Sequence, residues 1–150
     1  MQKAIALALE NVRSGRGGPF GAVVVRGSDV IGEGTNQVTS TNDPSAHAEV
    51  LAVRAACQRL RTFQLRGCEI YSSCEPCPMC LSLIYWARLD KVYYASTAED
   101  AAAIGFDDSR IYSELRSPND NRSVPMVRLQ IADALVAFRA WQGKPDKIPY

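Results

Sequence analysis

Two segments, Ala46-His47-Ala48-Glu49 and Pro76-Cys77-Pro78-Met79-Cys80, hold a set of side chains that could serve one metal ion. Bringing them together constrains the fold more than any local propensity does. Cys77 and Cys80 stand at i and i+3, so on a helix they share a face and can grip one ion. His47 and Glu49 stand at i and i+2, which diverge in a helix interior and converge only at an open helix entrance. Entry signals occur in the right places. Asp43-Pro44-Ser45 offers capping side chains and a proline suited to a first helical position. Glu75-Pro76-Cys77-Pro78 forms a second entry, ahead of Met79-Cys80-Leu81-Ser82-Leu83-Ile84-Tyr85-Trp86-Ala87. The expectation is an ion held between two helix N-termini, whose positive dipole ends favour thiolates.

The donor set then narrows the chemistry. Two thiolates, one imidazole and an open fourth position suit a catalytic zinc, whereas a structural zinc takes four protein ligands. Glu49 is left free to move protons. Two other readings stand beside this one. Cys74 could join His47, Cys77 and Cys80 to close a four-ligand zinc in a binding module, which leaves Glu49 without a purpose. A thiol oxidoreductase would place its C-x-x-C near a βαβ pattern, whereas here a helix, a hairpin and a second helix come first.

Composition excludes several function classes. The chain has 150 residues, 47% apolar and 22% charged, which fits one globular domain spanning 1–150. A formal net charge of +1 argues against a nucleic-acid or membrane surface. No apolar run approaches membrane-spanning length, and the first residues lack a signal-peptide layout. Five cysteines, three of them crowded into one stretch, fit a reduced cytoplasmic setting better than a disulfide framework. Cys57 and Cys68 read as small core residues.

Helix formers run over residues 3–13 and end at Ser14-Gly15. Strands are expected at Ala22–Val25 and Val30–Thr35 as a hairpin, then at 67–73, at Lys91–Ser96 and finally at Met126–Ile131. Helices are expected over 46–60, after Cys77, over Asp107–Leu115 and over Asp133–Gln142. This order predicts an α/β fold: a three-layer α/β/α sandwich around a mixed five-stranded sheet. The tail 144–150 is irregular and proline-broken.

Three segments carry a family resemblance that spans nearly the whole chain. Gly17-Gly18-Pro19-Phe20-Gly21-Ala22-Val23, Asp43 to Glu49, and Ser73 to Cys80 resemble the cytidine-deaminase-like superfamily of zinc hydrolases, with its H-x-E…P-C-x-x-C order. The purine-acting branch is the nearer match. Gly105-Phe106-Asp107-Asp108-Ser109 and the tail Phe138-Arg139-Ala140-Trp141, ending in Tyr150, resemble its bacterial guanine-acting members more than those acting on tRNA adenosine.

The resemblance implies that guanine and water give xanthine and ammonia, with one zinc per chain on His47, Cys77 and Cys80. Glu49 would carry the proton of the activated water to ring N3 as C2 is attacked. It implies that Asp108 binds the base and takes part in proton transfer, and that Asn36 hydrogen-bonds the purine. Phe20, Ala48, Trp86 and Tyr150 complete the implied substrate set, the ligand is a small purine base, and the assembly is a homodimer. Structural roles compete at several positions: a hairpin end for Asn36, core packing for Phe20 and Trp86, a helix cap for Asp107 or Asp108, a frayed end for the tail. A deaminase of tRNA adenosine, cytosine or an aminotriazine is the nearest competitor. A tRNA enzyme should carry a basic stripe around its site, and none is visible.

Overall fold

The uninterrupted helix formers after Met1 make α1, Gln2–Arg13, which stops at Ser14 and the left-handed Gly15. The computed structural model describes residues 1–149. These fall into two units, Met1–Ser109 and the segment from Arg110 onward.

In the first unit, β1 (Gly21–Arg26) and β2 (Asp29–Thr35) form an antiparallel hairpin that turns at Gly27, φ +58°. A short α2 (Val38–Thr41) ends in the left-handed Asn42, and α3 spans Ala48–Leu60. Next, β3 (Glu69–Cys74) pairs antiparallel with β1, α4 (Pro78–Trp86) crosses over, and β4 (Lys91–Ser96) returns parallel to β3. The sheet order is β2-β1-β3-β4, a mixed sheet.

Strand alternation decides which helix covers which face. On β1, Gly21 lies against α1, where a methyl group would strike the Ala4 carbonyl and the Ala8 amide. Its neighbours Ala22 and Val24 point the other way, into a core with Ala48, Ala52, Ala56, Ile70 and Ile84. The helix α3 lies directly on β2: a methyl at Gly34 would meet the Ala48 carbonyl, and one at Gly32 the Ala52 carbonyl. Ala48, Ala52 and Ala56 recur every fourth residue, so α3 offers a flat face that lets backbone approach backbone. Ile84 of α4 joins the same core. Thus α1 covers one face, and α3 and α4 the other.

The expected fifth strand does not form. Residues Met126–Ile131 carry no regular secondary structure and no ladder partner, so the described sheet has four strands. The alternating residues Val127, Leu129 and Ile131 are exposed. A strand exists by hydrogen-bonding to a neighbour, and alternation alone cannot name that neighbour.

The second unit contains most of α6 (Ser109–Arg116), a 3₁₀ turn at Asn119–Asn121, another at Ala132–Leu135, and α7 (Val136–Gly143). It is pinned internally by Arg122, whose guanidinium donates to the Glu114 and Ser117 carbonyls at 3.0 and 3.1 Å. Two short helices were absent from the sequence reading, α2 and also α5, Ala98–Ala103; the second leaves a trace in the sequence. Its signal is the Thr97-x-x-Asp100 capping box, with the Asp100 carboxylate accepting the Thr97 N–H at 2.8 Å. No described helix is long and apolar enough to cross a membrane.

Gly34→Ala should test the α3–β2 contact. Backbone cannot yield as a flexible side chain can, so overpacking of about 1–3 kcal/mol is expected. Thermal unfolding should show a loss of several degrees, and the displaced first turn of α3 should also weaken metal retention.

Candidate active site

His47 and Cys77 occupy equivalent places as the N-cap residues of α3 and α4, both with extended backbone. Pro78 stands at the first helical position, where its missing N–H costs nothing. The Asp43-Pro44-Ser45 reading needs correction. No side chain caps α3; the Asp43 carboxylate instead accepts the Ser45 N–H and hydroxyl at 2.8 and 2.7 Å, shaping the turn before the helix. Pro44 lies in that turn and not in the helix.

The two helix entrances converge. Nδ1 of His47 lies 3.5 Å from Sγ of Cys77 and 3.5 Å from Sγ of Cys80. All three donor atoms fall within 4.8 Å of one another. A tetrahedral zinc with Zn–N and Zn–S bonds of about 2.0 and 2.3 Å needs N···S edges of roughly 3.6 Å. The donor set therefore fits zinc in identity and in size.

Protons are unequally shared within this group. The neighbouring Cys80 and His47 side chains, against the effect of burial, hold the Cys77 thiol down to about 4. The same contact with Cys77, together with burial, pushes Cys80 upward, and the Cys77 thiolate raises His47. A cation arriving here finds one thiolate ready and displaces the proton of the Cys80 thiol.

Cys74 is not part of the group. Its thiol donates to the Thr97 carbonyl at 3.4 Å, and burial pushes it up to about 11. Among the described residues, the cluster with metal-ligand geometry is His47, Cys77 and Cys80 alone.

Glu49 is buried, with 6% of its surface exposed. One carboxylate oxygen accepts the Ser72 hydroxyl at 2.9 Å, and the other accepts the Cys80 thiol at 3.4 Å. Burial raises its pKa above the usual carboxylate range, with the Ser72 and Cys80 hydrogen bonds acting in opposition. Ser72 did not figure in the sequence reading. Its signal was a polar residue on the inward face of β3, in step with Ile70.

The other candidates take the following places in the fold. Asn36 is buried, and its Oδ1 accepts the Gly18 and Val38 amides at 3.3 and 3.4 Å. Two N–H donors identify that atom as oxygen, so the NH₂ is the face left to offer. The Asn36 N–H is itself tied to the Phe20 carbonyl at 3.1 Å. Phe20 packs on the core and meets Phe106 edge-to-face, with ring centroids 4.9 Å apart. Phe106 is a further residue the sequence reading left without a role.

Asp107 takes the turn role, accepting the Ser109 N–H at 2.9 Å, which leaves the Asp108 carboxylate uncommitted to it. Partial burial, then the charges of Cys77, Asp107 and Glu75, raise the Asp108 pKa. Ala48 is fully buried in the first turn of α3. Trp86 ends α4 with 60% of its surface exposed, so the core-packing alternative fails for it. It lies about 9 Å along the helix axis from Cys80, by the usual rise per residue. Tyr150 lies outside the described residues.

Comparison with known proteins gives a consistent result. The profile of the cytidine and deoxycytidylate deaminase zinc-binding region matches residues 1–96. The chain is 49% identical over 150 residues to guanine deaminase of Bacillus subtilis (strain 168), covering all of this chain and 96% of that protein. The crystal structure of the Bacillus subtilis guanine deaminase superposes with a TM-score of 0.97 at 50% identity, covering 99% of this chain and 95% of that one. A tRNA-specific adenosine deaminase of Aquifex aeolicus is 42% identical over 78 residues, about half of either chain at 52% each. A structure solved with 2,6-diaminopurine superposes with a TM-score of 0.68 at 34% identity, covering 71% of this chain and 60% of that one.

Metal analysis of single variants checks the donor set. The purified chain should carry one zinc. Cys77→Ala and Cys80→Ala should lose it, while Cys74→Ala should keep it, because Cys74 faces Thr97. Zinc loss in the Cys74 variant would reinstate a closed four-ligand site.

Proposed function

This chain belongs to the cytidine and deoxycytidylate deaminase family of zinc enzymes, and from that premise we propose that it hydrolyses guanine to xanthine and ammonia. In this reaction the bond from C2 to the exocyclic nitrogen breaks and a bond from C2 to the oxygen of water forms. Full-length similarity to guanine deaminase, continuing through Asp108, carries the substrate assignment. Zinc, when bound by His47, Cys77 and Cys80, supplies an acidified water at neutral pH.

The chain's own residues do the rest. Glu49 is held at one oxygen by Ser72, so its other oxygen stays aimed at the ligand cluster. From there it takes the water's proton and delivers it to ring N3. Its raised pKa favours holding that proton between steps. Departure of ammonia needs a second proton, which Glu49 or Asp108 can deliver. Asp108, as a carboxylate, accepts from the N–H edge of guanine. The Asn36 NH₂ donates to a purine acceptor, and the edge-to-face pair of Phe20 and Phe106 offers an apolar wall. Ala48 and Trp86 complete the proposed substrate set.

Glu49→Gln keeps size and fold but cannot carry a proton. Zinc content should hold while turnover falls by roughly 10²–10⁴-fold or more. Guanine should be the best substrate in a panel with adenine, cytosine, an aminotriazine and tRNA, read by ammonia release. Efficient tRNA adenosine deamination with guanine inert would move the assignment to the tRNA-acting relatives. A zinc-loaded protein inert to every member of the panel would favour a binding module.

We also propose a homodimer in a reducing, cytoplasmic setting. All five cysteines are free, in keeping with such a compartment. Leu135, Phe138 and Trp141 leave about half or more of their surfaces exposed, apolar area that a second copy of the chain could cover. Tyr150 joins this reading as part of a lid formed by residues 144–150. Sedimentation of the full chain should give twice 16.4 kDa. Truncation after Gly143 should keep that dimer and its zinc but lower guanine turnover about tenfold or more, as loss of a water-excluding segment would.

A further inference from the structure

The polar side chain that fits its surroundings least is Asn11. It sits on the sheet-facing side of α1, one turn from Ala8, with 0% of its surface exposed. Asparagine is a poor helix former. Its Oδ1 is buried and has no hydrogen-bond partner among the described residues. A residue carrying both penalties needs a reason to be there. Leucine would suit the helix better and bury no polar atom of its own.

The reason lies at the other end of the amide. The Asn11 NH₂ donates to two carbonyls, Gly18 at 2.9 Å and Asn36 at 2.8 Å. Those two residues are themselves linked, because the Gly18 N–H donates to Asn36 Oδ1 at 3.3 Å. The three residues close a ring of hydrogen bonds that joins α1, the Gly17-Gly18 loop and the end of β2. The ring is tight: a methyl at Gly17 would strike the Asn36 carbonyl and come within 3.2 Å of the Asn11 amide nitrogen.

We infer that Asn11 is a positioning residue for purine recognition: it clamps the Gly18 and Asn36 backbones so that Asn36 offers its NH₂, and not its carbonyl, to the base. The inference rests on the proposed purine site and extends it to a buried helix position about two turns of sequence from any residue that touches ligand. The mechanism is steric and orientational. With the clamp in place, both the Gly18 and Val38 amides point at Asn36 Oδ1 and hold it inward. Without it, the loop can relax, the Gly18 donor is lost, and the Asn36 amide is free to turn. A turned amide presents an acceptor where the purine also presents an acceptor. Ground-state binding of the base is what suffers, since the zinc ligands and Glu49 are anchored on other elements.

Asn11→Leu keeps the branched side-chain shape with more bulk and removes both donors, while Asn11→Ala removes them without added bulk, so an effect common to both variants comes from the lost donors. Three readings are taken on zinc-loaded protein: melting temperature, guanine kinetics, and calorimetric affinity for 2,6-diaminopurine. Asn11→Leu should melt several degrees lower, as loss of two donors to buried or part-buried carbonyls requires, yet remain folded and keep its zinc. KM for guanine and the analogue dissociation constant should each rise about tenfold, with kcat changed less. In an Asn36→Ala background the same substitution should add less than about twofold, since coupled residues are non-additive.

KM and analogue affinity within about twofold of wild type would overturn the inference. So would an equal loss in the Asn36→Ala background, which marks a structural defect alone. Should Asn11→Leu fail to fold, Asn11→Ala is read by the same criteria. Analogue affinity keeps the two ideas apart. A wild type inert toward guanine would defeat the substrate assignment, while the coupling of Asn11 to Asn36 would still be measured.

Discussion

The direct contact of α3 backbone on β2 backbone sets the position of nearly everything at the site. Gly32 and Gly34 on the strand and Ala48, Ala52 and Ala56 on the helix leave no side chain thick enough to separate them. A helix lying that close has little freedom to slide or roll. Its N-cap, His47, is therefore fixed relative to the sheet. β3 ends two strands away and feeds α4, whose N-cap is Cys77. The two helix entrances meet because their strands belong to one sheet. The ligand cluster follows from helix–sheet packing, and both helix dipoles then favour the negative charge the thiolates bring.

This origin explains which parts of the site could be read from the chain. His47, Cys77 and Cys80 were legible because spacing on a helix converts directly into geometry, and Pro78 marks the helix start. Glu49 was legible as a carboxylate at the same entrance. Ser72 was not, since a serine in a strand gives no hint that it faces inward until Ile70 fixes the register. Asn11 was hidden for a similar reason: in a helix surrounded by Glu10 and Arg13 it reads as solvent-facing. Asp43 shows a finer limit. A capping side chain and a turn-forming one look alike in sequence, and they differ by where the helix begins.

The layers of the fold were legible through helix periods and hairpin turns, and the strand count was not. Met126–Ile131 has the alternation of a strand, with Val127, Leu129 and Ile131 in step. Alternation reports that one face wants burial; it carries no information about which edge supplies the hydrogen bonds. The short α5 escaped notice for the opposite reason. Six residues rich in alanine have no period to detect, and only the Thr97–Asp100 box announces them.

The groups proposed for the chemistry and those proposed for recognition are held differently within the first unit. His47, Glu49, Ser72, Cys77 and Cys80 stand on β3 or in the first turns of α3 and α4, held by the core. Asn36, Phe106 and Asp108 stand on connections, where sequence can change without disturbing the sheet. Such connections would be too loose to discriminate between bases if nothing braced them. Each is braced by a specific polar contact: the Asn11 amide for Asn36, and the Asp107–Ser109 turn for Asp108. A second brace runs from the strand that leads to Cys77. There the Glu75 N–H donates to the Ser96 carbonyl at 2.9 Å, and the Glu75 carboxylate accepts the Ala98 N–H at 3.2 Å. With the Cys74 thiol on the Thr97 carbonyl, these contacts fasten the start of α5 to the approach of the cysteine motif. The segment bearing Phe106 and Asp108 is thereby referenced to the same backbone that carries the ligands. A recognition loop can then vary in sequence while its side chains stay in register with the reacting centre.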